Sequence, residues 1–175
     1  VGTSAGSTAI LDWKSAGSDT TATPTGLSLS DGSTYYTSVH AIDMAGNVSA
    51  DTSTNGVTID MSPPTQGIVN DGEGDDIDRT TSFTTLSANW SGFDDPLSGI
   101  AYFEYAIGTV SGDTNVVVWT TTGQNMFTSR DDLTLEADTV YYHSVRAHDV
   151  VGNTSDPVSS DGIVIDQSPP ALLTV

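Results

Sequence analysis

Along most of this chain apolar and polar residues alternate with a period of two. Leu86-Ser87-Ala88-Asn89-Trp90 sets Leu, Ala and Trp on one face, and Phe103-Glu104-Tyr105-Ala106-Ile107 alternates large apolar residues with Glu104 between them. Residues 115–119 are rich in β-branched positions and run on through Thr122; Val140–Ala147 and Gly162–Ile165 complete the set. A period of two is the signature of a strand with one face buried. No window carries an apolar stripe at i, i+3, i+4, i+7 bounded by caps, so no helix is predicted. Clusters of Gly, Asp, Asn and Ser separate the alternating segments. The pattern predicts an all-β chain of short antiparallel strands forming sandwiches or barrels.

The pattern also repeats. Tyr35-Tyr36-Thr37-Ser38-Val39-His40-Ala41 returns as Tyr141-Tyr142-His143-Ser144-Val145-Arg146-Ala147, and Gly46-Asn47 returns as Gly152-Asn153. Asp60 with Ser62-Pro63-Pro64 returns as Asp166 with Ser168-Pro169-Pro170. Every pair is offset by 106 without a gap, and 18 of 38 positions from Leu27 to Pro64 are identical to their counterparts. The offset reaches back to Gly2-Thr3 against Gly108-Thr109 and to Trp13 against Trp119. Self-similarity at a fixed period marks a tandem architecture. The register predicts a partial sandwich over 1–64, a complete one over 65–170, and the start of a third repeat at 171–175. On this reading the chain is a segment of a longer array, since the counterpart of 65–106 would precede Val1. Two prolines at each junction hold polyproline-like backbone and stiffen the seam.

Leu135-Glu136-Ala137-Asp138-Thr139-Val140-Tyr141, followed by Val145 and Ala147, resembles the Leu-x-Pro-x-Thr-x-Tyr-x-x-x-Val-x-Ala signature of fibronectin type III domains. Leu29 to Tyr35, with Val39 and Ala41, matches it again, and Trp90 sits where that family places a core Trp. The resemblance implies tandem antiparallel β-sandwiches of fibronectin type III/Ig-like type. It also implies a tyrosine corner, in which Tyr141 and Tyr35 bond upstream backbone through their hydroxyls while their rings fill the core. The corner proline is absent; Asp31 and Ala137 stand in its place.

Composition narrows the function. Charged residues are 15% of the chain; 23 are acidic and four basic, giving a net charge of -19. Nucleic acids and anionic membranes both demand Lys and Arg to neutralise phosphate, so neither is expected as a partner. Cysteine is absent, which excludes disulfides and thiolate chemistry. Gly2-Thr3-Ser4-Ala5-Gly6 matches a nucleophile elbow on paper, but an elbow needs a strand before it and a helix after it. A strand-like segment follows instead, and no enzyme is predicted. The histidines His40, His143 and His148 lie on or just after the Tyr-Tyr strand, with no paired ligand spacing, and are expected at the surface.

Two kinds of candidate site remain. Asp71, Glu73, Asp75, Asp76 and Asp78 place five carboxylates within eight residues beside glycines. Such an oxygen-rich flexible run suits Ca²⁺, which takes six to eight oxygens at relaxed geometry; a solvated acidic loop is the competing reading. Asp94-Asp95 is a further acidic pair, a candidate to approach this loop across the end of the sandwich. Asn47, Asn153 and Asn89 head N-glycosylation sequons, the first two equivalent under the repeat; Gly-Asn there also suits a tight turn.

The Tyr-Tyr-x-Ser-Val-x-Ala, Gly-Asn-x-Ser and Asp-x-Ser-Pro-Pro pattern resembles repeats of large secreted proteins of aquatic microbes, including flagellar-hair (mastigoneme) proteins and bacterial adhesins. That resemblance implies a structural, spacing role in an extracellular fibre or cell-surface protein, with neighbouring repeats and other fibre subunits as partners. The alternative is a carbohydrate-binding or accessory module of a secreted polysaccharide-active enzyme, using Trp119 or Tyr142 as a platform. The recurrence of Trp13 and Trp119 at one repeat position favours a core or inter-strand role for them.

Overall fold

The computed structural model describes residues 1–170; the expected start of a third repeat lies outside the described residues. Thirteen strands and no helix make up the described chain. It divides into two compact units, Val1–Ser62 and a second beginning at Pro63, so the division falls within the first Ser-Pro-Pro seam.

The first unit holds four two-residue strands: β1 (Thr34–Tyr35), β2 (Ser38–Val39), β3 (Thr52–Ser53) and β4 (Val57–Thr58). β1 pairs with β4 and β2 with β3, both antiparallel. Long stretches before them, from residue 12 to 33, form turns and irregular backbone.

The second unit is a two-layer sandwich. One layer orders β10 (Phe127–Arg130), β7 (Leu86–Ser91) and β5 (Ile68–Asp71), all antiparallel. The other orders β6 (Arg79–Thr80), β13 (Ile163–Ile165), β11 (Val140–Asp149), β8 (Ile100–Gly108) and β9 (Val117–Gly123), with β12 (Val158–Ser159) also paired to β11. Pairing in this layer is antiparallel except between β13 and β6, a short parallel pair. The alternation read from sequence decides which side chains face inward. Leu86, Ala88 and Trp90 from β7 meet Phe103, Tyr105 and Ile107 from β8 and Tyr141, Val145 and Ala147 from β11. Trp90 and Phe103 pack edge to face at 5.9 Å between centroids, and Phe93 packs on Phe103 at 5.5 Å. Each such ring or branched side chain taken out of water contributes about 1.5–3 kcal/mol.

The corner bonds form in both units. The Glu136 amide donates to the Tyr141 hydroxyl at 2.9 Å, and the Ser30 amide donates to the Tyr35 hydroxyl at 3.0 Å. Both rings are buried. Gly162, at φ +106°, lets a strand approach lie flat on its neighbour: a Cβ there would meet Tyr142 Cε1 at 2.8 Å and Val140 Cγ1 at 2.7 Å. Gly56 holds the same place under Tyr36, at φ +94°.

Candidate functional site

Three polar constellations stand out, and the first is built at the end of β5. Inward alternation along β5 points Val69 and Asp71 into the sandwich, and alternation along β11 puts His143 on the same face as Tyr141 and Val145. Both Asp71 and His143 are fully buried, and Asp71 Oδ1 lies 2.8 Å from His143 Nδ1. A carboxylate accepts, so Nδ1 carries the proton of this bond. His143 is therefore a core residue, not the surface histidine expected from the lack of paired ligand spacing; its period-two phase with Tyr141 and Val145 turns it inward. Its backbone is fixed on both sides by Ser160, whose Oγ accepts the His143 amide at 3.1 Å and whose amide donates to the His143 carbonyl at 2.8 Å.

The acidic run folds back onto Asp71. Asp76 Oδ1 accepts the Asp71 amide at 2.8 Å, and the Ile77 amide donates to the Asp71 carbonyl at 3.1 Å. Asn89 Nδ2 pins the loop by donating to the carbonyls of Gly72 at 3.1 Å and Gly74 at 2.9 Å. Asp161, from the turn between β12 and β13, joins them: carboxylate oxygens of Asp71, Asp76 and Asp161 lie within 4.8 Å of one another. Glu73, Asp75 and Asp78 are exposed and stand outside this group, as does Asp94-Asp95. Asp95 Oδ1 instead accepts the amides of Leu97, Ser98 and Gly99 at 2.8–3.1 Å, closing its own turn. Asp71 Oδ2 and His143 Nε2 are buried without a hydrogen-bond partner among the described residues. A buried imidazole with no hydroxyl on its second nitrogen lacks the exposed nucleophile that triad chemistry requires.

The second constellation covers the outer face of β9, β8 and β11. Glu104 accepts from Arg146 Nε at 2.8 Å and from His148 Nε2 at 2.8 Å. The Arg146 guanidinium then lies over the Trp119 ring at 4.3 Å, while Tyr102 stacks on His148 at 4.3 Å and 9°. Burial works against the charged form of Glu104, yet its bonds to Arg146 and His148 hold its carboxyl below the usual range. Trp119 is thus a partly buried surface ring clamped by a cation. Its repeat counterpart Trp13 meets the His40 ring at 4.1 Å between centroids, tilted by 42°, and His40 in turn reaches Asp51 at 3.2 Å.

The third consists of the sequon loops. Asp149, nearly buried, accepts the Val151, Gly152 and Asn153 amides through Oδ1 at 2.6–3.0 Å, and the Asn153 side chain through Oδ2 at 2.6 Å. Asp43 and Asn47 repeat the arrangement, at 2.8 Å for both the Asn47 amide and its side chain. The side-chain nitrogens of Asn47, Asn153 and Asn89 are accordingly all engaged as donors within the fold.

Comparisons with known proteins speak to the fold. No family model matches the chain, and no curated protein matches it. Among solved structures, titin domains A168–A170 overlay at a TM-score of 0.50 with 16% identity, over 79% of this chain and 43% of theirs. Domains FN1–FN3 of chicken contactin give 0.41 and 16% over 80% and 45%, and the twitchin kinase region of C. elegans gives 0.38 and 14% over 63% and 18%. The chain thus spans less than half the length of each of these structures. Its fold is fibronectin type III/Ig-like.

Proposed function

We propose that the chain is a non-catalytic spacing segment of tandem sandwich repeats in a large extracellular fibre, filament or cell-surface protein. One observation carries this reading: backbone pairing recurs at the 106-residue offset in both units, residue for residue. Thr34↔Thr58 and Tyr35↔Val57 return as Val140↔Val164 and Tyr141↔Ile163; Ser38↔Ser53 and Val39↔Thr52 return as Ser144↔Ser159 and Val145↔Val158. Selection for one repeated scaffold, joined by a double-proline seam, suits a spacer whose product is length and stiffness. The chain is acidic and free of cysteine, as suits one kept apart from its neighbours by repulsion. Its partners on this reading are adjacent repeats and other fibre subunits, and glycans at Asn47 or Asn153 would decorate its loops and one at Asn89 the face of β7. The likeness to titin domains supports the sandwich on which this reading stands.

Stretching the chain by its ends tests the proposal. A spacer repeat resists, then gives one cooperative rupture as the second unit unravels, with a length gain of roughly 35 nm for about 106 residues at 3.3–3.6 Å each. Extension without a rupture peak would overturn it. Saturable binding to a polysaccharide, lost in Trp119→Ala, would put the carbohydrate-binding alternative in its place.

A further inference from the structure

The acidic end of the second unit has an excess of oxygen donors and no cation of its own. Asp71, Asp76 and Asp161 arrive from β5, from the loop after it and from the β12–β13 turn, and bring carboxylate oxygens within 4.8 Å of one another. The unit's three arginines are all committed elsewhere: Arg79 to Asp166 at 3.1 Å, Arg130 to Asp132, and Arg146 to Glu104 at 2.7 Å. His143 occupies one oxygen of Asp71 and leaves Oδ2 buried and unpartnered. An ionised oxygen withdrawn from water and given no donor is costly unless a charge meets it.

We propose that Asp71, Asp76 and Asp161 hold a divalent cation, of the Ca²⁺ class, with His143 as the positioning residue that fixes the Asp71 carboxylate. The donor set is all oxygen, which selects a hard ion over zinc or copper. Two of the three carboxylates are exposed, so the ion enters from the surface, and water and loop carbonyls complete a shell of six to eight. Mg²⁺ fits less well, because it demands a compact octahedron from ligands that here come from three separate segments. The ligand set differs from the contiguous run Asp71–Asp78: Asp161 enters from 85 residues beyond Asp76, while Glu73, Asp75 and Asp78 stay outside. Bound there, the ion ties the acidic loop and the β12–β13 turn to the end of β5.

Calcium titration of the 175-residue chain by calorimetry, paired with thermal unfolding, tests this assignment. One ion should bind with a Kd of about 10⁻⁴–10⁻³ M, the range of extracellular modules, and more tightly than Mg²⁺. At ten times Kd the second unit's Tm should rise by roughly 5 °C. Asp161→Asn, at an exposed position that leaves the core intact, should weaken binding by at least about tenfold. The double variant Glu73→Gln with Asp78→Asn removes two loop charges, twice what Asp161→Asn removes, and should stay within about twofold of the parent. Absence of saturable binding at 10 mM calcium (about ten times the weakest expected Kd) would overturn the proposal. So would equal weakening by the two variants, which would mark diffuse screening of an acidic loop.

Discussion

Two stretches of this chain share sequence, register and corner bonds, yet they differ in what they bury. Val145 is fully buried, whereas Val39, at the same repeat position and in the same pairing, is 60% exposed. Ile163 is 1% exposed and its counterpart Val57 is 64% exposed. In the second unit these positions face Trp90, Phe103 and Tyr105, side chains supplied by residues 65–106. Those residues have no repeat partner within the first unit, whose only buried large side chain is Tyr35. Local chemistry is therefore enough to set strand pairing and the tyrosine corner. Burial needs the opposite layer, and burial is where most of the free energy lies.

Core truncation breaks the comparison most strongly. Ile163→Ala should destabilise the second unit by about 2–5 kcal/mol, through lost transfer energy and a cavity. Val57→Ala, at the equivalent place, should change stability by less than about 0.5 kcal/mol. Denaturant titrations followed by tryptophan fluorescence would read both. Comparable losses at the two positions would mean that the first unit also closes a core around Val57.

Most of this was legible in the sequence. The period of two sufficed for the all-β class and for inward positions such as Trp90 and Tyr105, while the corner tyrosines and the burial of Tyr141 were legible through the resemblance to fibronectin type III domains. The parallel pairing of β13 with β6 was not legible, because two-residue strands carry no pattern of their own. At the candidate site, Asp71 and Asp76 lay within the visible acidic run. His143 was assigned to the surface because the histidines show no paired ligand spacing, although its phase with Tyr141 and Val145 already pointed inward. Asp161 was invisible for a different reason: only the fold brings a turn 85 residues away from Asp76 to the same place. Trp119 was read as core or inter-strand from its recurrence; it is a partly buried ring on the outer face that lies under Arg146 of β11, while Trp13 meets the His40 ring.

Acid should separate the two Asp-Asn loops. Burial disfavours the Asp149 anion, but the Asn153 side chain and the amides of Asn153, Gly152 and Val151 outweigh it and hold its carboxyl below the ordinary value. Asp43 is held low chiefly by the Asn47 side chain and amide, in an exposed loop. A depressed carboxyl stabilises the fold above its unfolded pKa, near 3.9, and that stabilisation fades as pH falls through the lower folded value. Asp149→Asn should lower the second unit's Tm at pH 7 by roughly 4–8 °C, as the new amide opposes Asn153 Nδ2. The gap between parent and variant should narrow by pH 3. A gap of equal size at both pH values would mean that the charge of Asp149 contributes nothing. Asp43→Asn should shift the Tm less at either pH.

The smallest expected difference lies on the outer face, where Trp119 with Arg146 can be set against Trp13 with His40. Arg146 uses Nε and a terminal nitrogen on Glu104, at 2.8 and 2.7 Å, and this fork holds the guanidinium plane over the indole. Lysine keeps the charge but has neither the fork nor the plane. Arg146→Lys should therefore cost about 0.5–1 kcal/mol, the worth of a partly exposed cation–π contact and its orienting bond. The cost should shrink in Glu104→Gln, because the neutral amide no longer steers the cation; a double-mutant cycle reads that coupling. His40→Ala should cost less still, since its partners Trp13 and Asp51 are more exposed, at 42% for the ring residue and 44% for the Asp51 side chain. Equal costs for Arg146→Lys in the parent and in Glu104→Gln would show that the ring alone orients Arg146. The ladder would then be two independent contacts instead of one coupled unit.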